Sequence, residues 1–142
     1  MTRSVALSSS SSDDLGKLVL RVLVGLLVLV HGVSKLQNGI GPVLGAVANA
    51  GLPSAVAYLV YVGEVLAPLL MIAGFWTRPA ALVVAGNMLV AIGLVHRGQI
   101  FQLNNTGGWA IELQAMYLFG AFAVVLLGAG RFSVGGAAGR WN

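Results

Sequence analysis

Seven side chains able to carry charge, protons or hydrogen bonds stand inside otherwise apolar sequence: His31, Lys35, Glu64, Asn87, His96, Glu112 and Gln114. His31 and Lys35 are four residues apart, a spacing that stacks both on one face of a helix. A carboxylate such as Glu64 in apolar surroundings needs a cationic neighbour, Lys35 or protonated His31, or else holds a proton. Two readings follow. The polar set is either an ion pair that fixes helix register, or a pocket for a small ligand such as a quinone head group. Asn87 reads first as an interhelical hydrogen bond and second as a ligand contact. His31 and His96 are the pair that a b-type haem would need. However, His96 closes a helix before Arg97-Gly98, where its direction is undefined, so haem is disfavoured. No metal is expected, because His31, Glu64, His96 and Glu112 follow no recognised ligand spacing. There is no phosphate-binding loop, nucleophile elbow or zinc-protease motif, so catalysis by this chain alone is not indicated.

The elements that must position these residues are apolar spans. Of 142 residues, 58% are hydrophobic and 8% charged, with a mean hydropathy of +0.91. A soluble domain carries about a quarter charged residues, so twelve charges, eight basic and four acidic, cannot cover this one. Disordered chains show the opposite bias. The absence of cysteine excludes disulfides, thiolate metal sites and a thiol redox role for the chain itself. The net charge of +4 is made of scattered single bases, which is a topology signal and not a nucleic-acid footprint.

Four apolar runs, 18–36, 55–75, 79–95 and 109–127, are each long enough to cross about 30 Å of hydrocarbon as a helix. None alternates as a barrel strand would. The expected fold is therefore all-α: an integral membrane four-helix bundle, with a short extra helix over 43–50 in the first outer loop. The expected domain plan is a flexible cytoplasmic tail at 1–16, a membrane domain at 17–134 and a C-terminal tail at 135–142. The polar loop 97–108 joins the third and fourth spans, and a tight turn precedes Pro79, which suits a first helical turn. A cleavable signal peptide is disfavoured, since about fifteen residues separate the apolar core 22–30 from the cleavage-like Ala46-Val47-Ala48. Gly25 and Gly32, seven apart, read as a close-packing stripe, and Trp76, Trp109 and Trp141 as interface anchors.

Four spans put both termini on one side, with Arg3, Lys17, Arg21, Arg78, Arg131 and Arg140; the other side has Lys35 and Arg97. The positive-inside rule then places both termini in the cytoplasm. On that footing the polar set gathers in the outer half of the bundle, while the cytoplasmic half is nearly all aliphatic. No ionisable residue continues a proton path inward.

Several motifs resemble the DoxX family of small bacterial membrane proteins. They are Arg21-Val-Leu-Val-Gly25, His31-Gly-Val-Ser-Lys35-Leu, Gly51-Leu-Pro53, Glu64 and the turn Gly74-Phe-Trp-Thr-Arg78. Gly107-Gly108, Glu112 and Gly130-Arg-Phe-Ser133 agree as well, so the likeness runs over about 18–134. The resemblance implies a four-helix bundle in a bacterial inner membrane, associated with thiosulfate:quinone oxidoreductase or redox-defence complexes. It carries over no catalytic residue. The expected partners are the bilayer and other membrane or redox subunits, with a homo-oligomer left open. Quinone is the small molecule expected in the outward pocket. The alternative is a non-catalytic structural or assembly subunit.

Overall fold

The computed structural model describes residues 10–142. Arg3 and most of the expected N-terminal tail lie outside the described residues. Helix α1 runs over Ser11–Asn38, and its start is a reciprocal cap. The Asp13 amide donates to Ser10 Oγ at 3.2 Å, and the Ser10 amide donates to the Asp13 carboxylate at 3.1 Å. That cap starts the helix at Ser11, seven residues before the apolar run. Its buried stripe is Asp14, Arg21, Val24, Gly25, Val28 and Gly32, one helical face.

Helix α2, Gly41–Asn49, is the short helix expected in the first loop, with Pro42 in its first turn. Its Val47 packs with Ile40, Ala57 and Val60 in a small apolar cluster. Helix α3 spans Ser54–Ala73. It opens as a 3-10 turn at Ser54–Tyr58 and widens to a π turn at Val62–Leu66 before Ala67–Ala73 continues as α-helix. The cause is Pro68, which has no N–H to donate and whose ring conflicts with the carbonyl of residue 64. A single wider turn relieves that conflict. Gly74 ends α3 in the left-handed region at φ 72°. Helix α4 follows at Thr77–Leu94 and α5 at Glu112–Leu127.

Among the described residues, α1, α3 and α4 are long and apolar enough to cross a membrane. Helix α5 is also apolar but has 16 residues, shorter than the expected 109–127. The reason lies before it: Leu103 and Trp109 form an isolated antiparallel bridge, and the backbone turns helical only at Glu112. The core between these four helices is small and aliphatic, with Val28, Met71, Ala81, Val84, Ala121 and Val124 at most 1% exposed. The outside is a belt of large apolar residues, among them Leu23, Val30, Leu66, Leu82, Leu89, Phe119 and Leu126. Such a continuous exposed belt needs lipid as its solvent.

One end of the bundle is closed by Arg21, which the sequence marks as a topology charge and as the start of the Arg21–Gly25 motif. It is 1% exposed. Its guanidinium donates to the carbonyls of Met71 (2.8 Å), Ile72, Ala129 (3.2 Å) and Phe132. The first two belong to the last turn of α3 and the others follow α5, so one side chain satisfies carbonyls that helix ends leave without donors. Beside it Arg131 Nε lies 3.3 Å from Asp14 Oδ2, which brings the start of α1 to the chain beyond α5. Asn142 Oδ1 accepts from Thr77 Oγ1 (2.7 Å) and the Thr77 amide (3.3 Å), so the segment after α5 lies across this end.

Candidate functional site

The polar residues gather toward the other end, where α2 lies. The site begins with a close approach of α1 to α3. A side chain at Gly32 would overlap the Glu64 carbonyl oxygen, so only glycine lets the two backbones come this near. One turn later Lys35 Nζ donates to Glu64 Oε2 in an ion pair whose side chains are 26% and 7% exposed. Asn87 of α4 donates to the other oxygen, Glu64 Oε1, at 3.3 Å. Gly63 makes room for it: a Cβ there would sit 2.5 Å from Asn87 Cγ. Tyr61 Oη donates to the Lys35 carbonyl at 3.3 Å. Glu64 thus ties α1, α3 and α4 together through both carboxylate oxygens.

On the α5 side, Tyr117 meets His31 edge-on, with ring centroids 5.8 Å apart and Tyr117 Oη 3.5 Å from His31 Nε2. His96, past the end of α4, has a defined direction. Its Nδ1 lies 2.8 Å from Gln99 Oε1 and its Nε2 lies 3.1 Å from Gln114 Nε2. A neutral ring with the proton on Nδ1 satisfies both contacts, donating to Gln99 and accepting from Gln114.

These side chains line a half-open cavity of about 190 Å³, with His31, Lys35, Glu64, His96, Gln114 and Tyr117 around it. Next to it, between α2, α3 and α4, runs a groove of about 780 Å³ with mostly apolar walls. Lys35, Glu64 and His96 line both spaces.

Of the seven residues singled out from the sequence, His31, Lys35, Glu64, His96 and Gln114 line the cavity, and Asn87 reaches Glu64 from the groove side. Glu112 is apart. It is exposed at the first position of α5, lines neither space and faces the backbone at Gly108. An acidic residue there suits the helix dipole. On α5 the polar lining of the cavity comes from Gln114 and Tyr117 instead. Tyr117 was not anticipated, although its spacing of three from Gln114 puts both on one helical face. No group of three His, Cys, Asp or Glu among the described residues is placed to hold a metal ion.

The DoxX family model matches residues 16–97. A relative from Bacillus subtilis (strain 168), described as "Putative oxidoreductase CatD", is 30% identical over 109 residues, covering 77% of this chain and 81% of the relative. No solved structure matches the chain significantly.

Proposed function

The chain belongs to the DoxX family, and on that premise we propose that it serves a membrane redox system by holding a quinone head group beside Lys35 and Glu64. In this reading it is an inner-membrane protein with four spans and both termini in the cytoplasm. The short α5 crosses as the fourth span, with the bilayer thinning locally to meet it. The polar cavity then faces outward. The observation that carries the reading is the Lys35–Glu64 pair itself, set in the wall between a polar cavity and a large apolar groove. A quinone carbonyl in the cavity accepts a hydrogen bond from Lys35 Nζ or from a His31 ring N–H. Tyr117 and Gln114 complete the polar lining. The oxidoreductase in the name of the Bacillus relative agrees with this role. The chain has no thiol, so thiol-dependent steps fall to partner redox subunits.

Extracting and quantifying quinone from the purified protein tests the reading. A hydrogen bond to a charged group is worth about 1.5–3 kcal/mol, so its loss weakens binding about tenfold to a hundredfold. His31→Ala should therefore lower the bound quinone while the protein stays folded, and Lys35→Ala should lower it together with stability, since it breaks the ion pair. His31→Ala is the cleaner variant, because it leaves the ion pair intact. Equal quinone in all three proteins, or none in the unmodified one, overturns the proposal.

One observation favours a second reading, a non-catalytic assembly subunit. Both Glu64 oxygens are already engaged, and among the described residues no buried polar side-chain atom lacks a partner. Quinone-free protein that still co-purifies with redox subunits would support it.

A further inference from the structure

We infer that the groove between α2, α3 and α4 holds the hydrocarbon chain of the molecule whose head lies at Lys35 and Glu64, so that the ligand is a long-chain, lipid-soluble quinone admitted sideways from the membrane. This rests on the quinone reading above and adds the class of quinone and its route.

Size comes first. Pockets for drug-sized ligands measure roughly 300–1,000 Å³. The polar cavity, about 190 Å³, falls below that range and suits a single ring. The groove, about 780 Å³, lies within it. The two adjoin, since Lys35, Glu64, Ala91 and His96 line both. The groove is thus the large space nearest to a head in the cavity, and the substituent is assigned to it.

Direction comes next. The groove wall includes Val62, Val83 and Val90, which are 40%, 42% and 55% exposed on the apolar outside of α3 and α4. The groove thus opens through the belt that lipid solvates. Its other wall is α2 with the buried Val47, and Asn87 is an interior polar side chain reaching the carboxylate. A polar ligand would find partners at Lys35, Glu64, Asn87 and His96, and on α2 at Asn49 alone. A chain would find apolar contacts along the rest.

The energetics set the size of the effect. Moving a chain from bilayer to groove exchanges one apolar medium for another, so the gain is packing and not the hydrophobic effect. Affinities of probes with and without a chain therefore differ through membrane partitioning as well as through the groove. Comparing variants with the same probe cancels the partitioning.

The experiment uses the full chain in nanodiscs of one phospholipid composition, with two probes. One is a dimethoxy-methyl-benzoquinone without a chain, and the other is the same ring with a decyl chain. Val90→Trp fills the groove at an exposed position, and Leu89→Trp places the same bulk at a neighbouring exposed position outside it. The expected result is tenfold or greater weakening of the decyl probe by Val90→Trp, less than twofold change for the chainless probe, and neither effect in Leu89→Trp. Equal weakening of both probes by Val90→Trp, or of neither, overturns the groove assignment while leaving the head-group reading standing. A phospholipid that co-purifies with the unmodified protein and is lost in Val90→Trp, without any chain preference, assigns the groove to lipid and also overturns it. Failure of both probes to bind the unmodified protein removes the quinone reading and the groove assignment together.

Discussion

Gly32 and Glu64 touch across the α1–α3 interface, where a methyl group on the glycine would overlap the glutamate carbonyl. That contact decides what Lys35 can do. One turn further along α1, the lysine stem is held close enough for its ammonium to meet the Glu64 carboxylate. The π turn at Val62–Leu66 belongs to the same arrangement, since it widens α3 at the carbonyl that Pro68 cannot use and Gly32 can approach.

The close approach makes a prediction about two glycines of one helix. Gly16 and Gly32 both lie in α1, but a Cβ at Gly16 meets nothing within 4 Å. Gly16→Ala should leave the thermal midpoint unchanged or raise it, because alanine is up to about 1 kcal/mol better than glycine inside a helix. Gly32→Ala should lower it, with overpacking costing about 1–3 kcal/mol. Equal behaviour of the two variants in thermal unfolding would dissociate the Gly32 contact from stability.

Glu64→Gln tests the ion pair. The change keeps shape and removes charge, leaving Lys35 beside a neutral group in a largely buried position. Removing one partner of a buried pair costs about 3–5 kcal/mol, whereas replacing both with apolar residues of similar volume is often neutral. Glu64→Gln should therefore melt well below the unmodified protein, and Lys35→Met combined with Glu64→Leu should recover most of the loss. A single variant as stable as the parent would show that the ion pair adds nothing to stability.

Arg21→Lys tests the clamp at the opposite end. The guanidinium reaches carbonyls of the α3 end and of the chain beyond α5 with donors fixed in a plane. An ammonium has one nitrogen and cannot reach all of them. Each buried carbonyl left without a donor costs about 1–3 kcal/mol. Arg21→Lys should lower the thermal midpoint despite keeping the charge, while Arg97→Lys, exposed in the loop after α4, should stay within about 0.5 kcal/mol.

The helices and most of the polar set were legible in the sequence because charged and amide side chains stand out against apolar runs, and depth follows from the rise per residue. Direction was harder to read. Glu112 has a depth near the cavity, but its place at the first position of α5 turns it toward the loop. Tyr117 is hidden for the opposite reason, as an aromatic in an apolar run resembles core until His31 is found against it. The choice between Lys35 and His31 as the partner of Glu64 depends on the Gly32 contact and the π turn, which no periodicity displays. Arg21 near the end of a span looks like a topology charge, and only the meeting of three chain segments reveals its carbonyl partners.

Taking Arg21 out of the charge count sharpens the last prediction. In the four-span reading of the sequence, Arg3, Lys17, Arg78, Arg131 and Arg140 remain on the side of the termini, against Lys35 and Arg97. Lys35 is itself held in the bundle by Glu64, so Arg97, exposed in the loop after α4, is the base that carries the count on the α2 side. The Asp14–Arg131 contact brings the start of α1 and the chain beyond α5 to one end, which agrees with the proposal that α5 returns across the membrane that α4 crosses. A fluorescent reporter fused after Asn142 should therefore glow as a cytoplasmic fusion, and alkaline phosphatase inserted within 104–107 should be active outside. The reverse pattern would invert the bundle and turn the cavity toward the cytoplasm. Both reporters on one side would mean that α5 does not cross, and the four-span reading would fall with it.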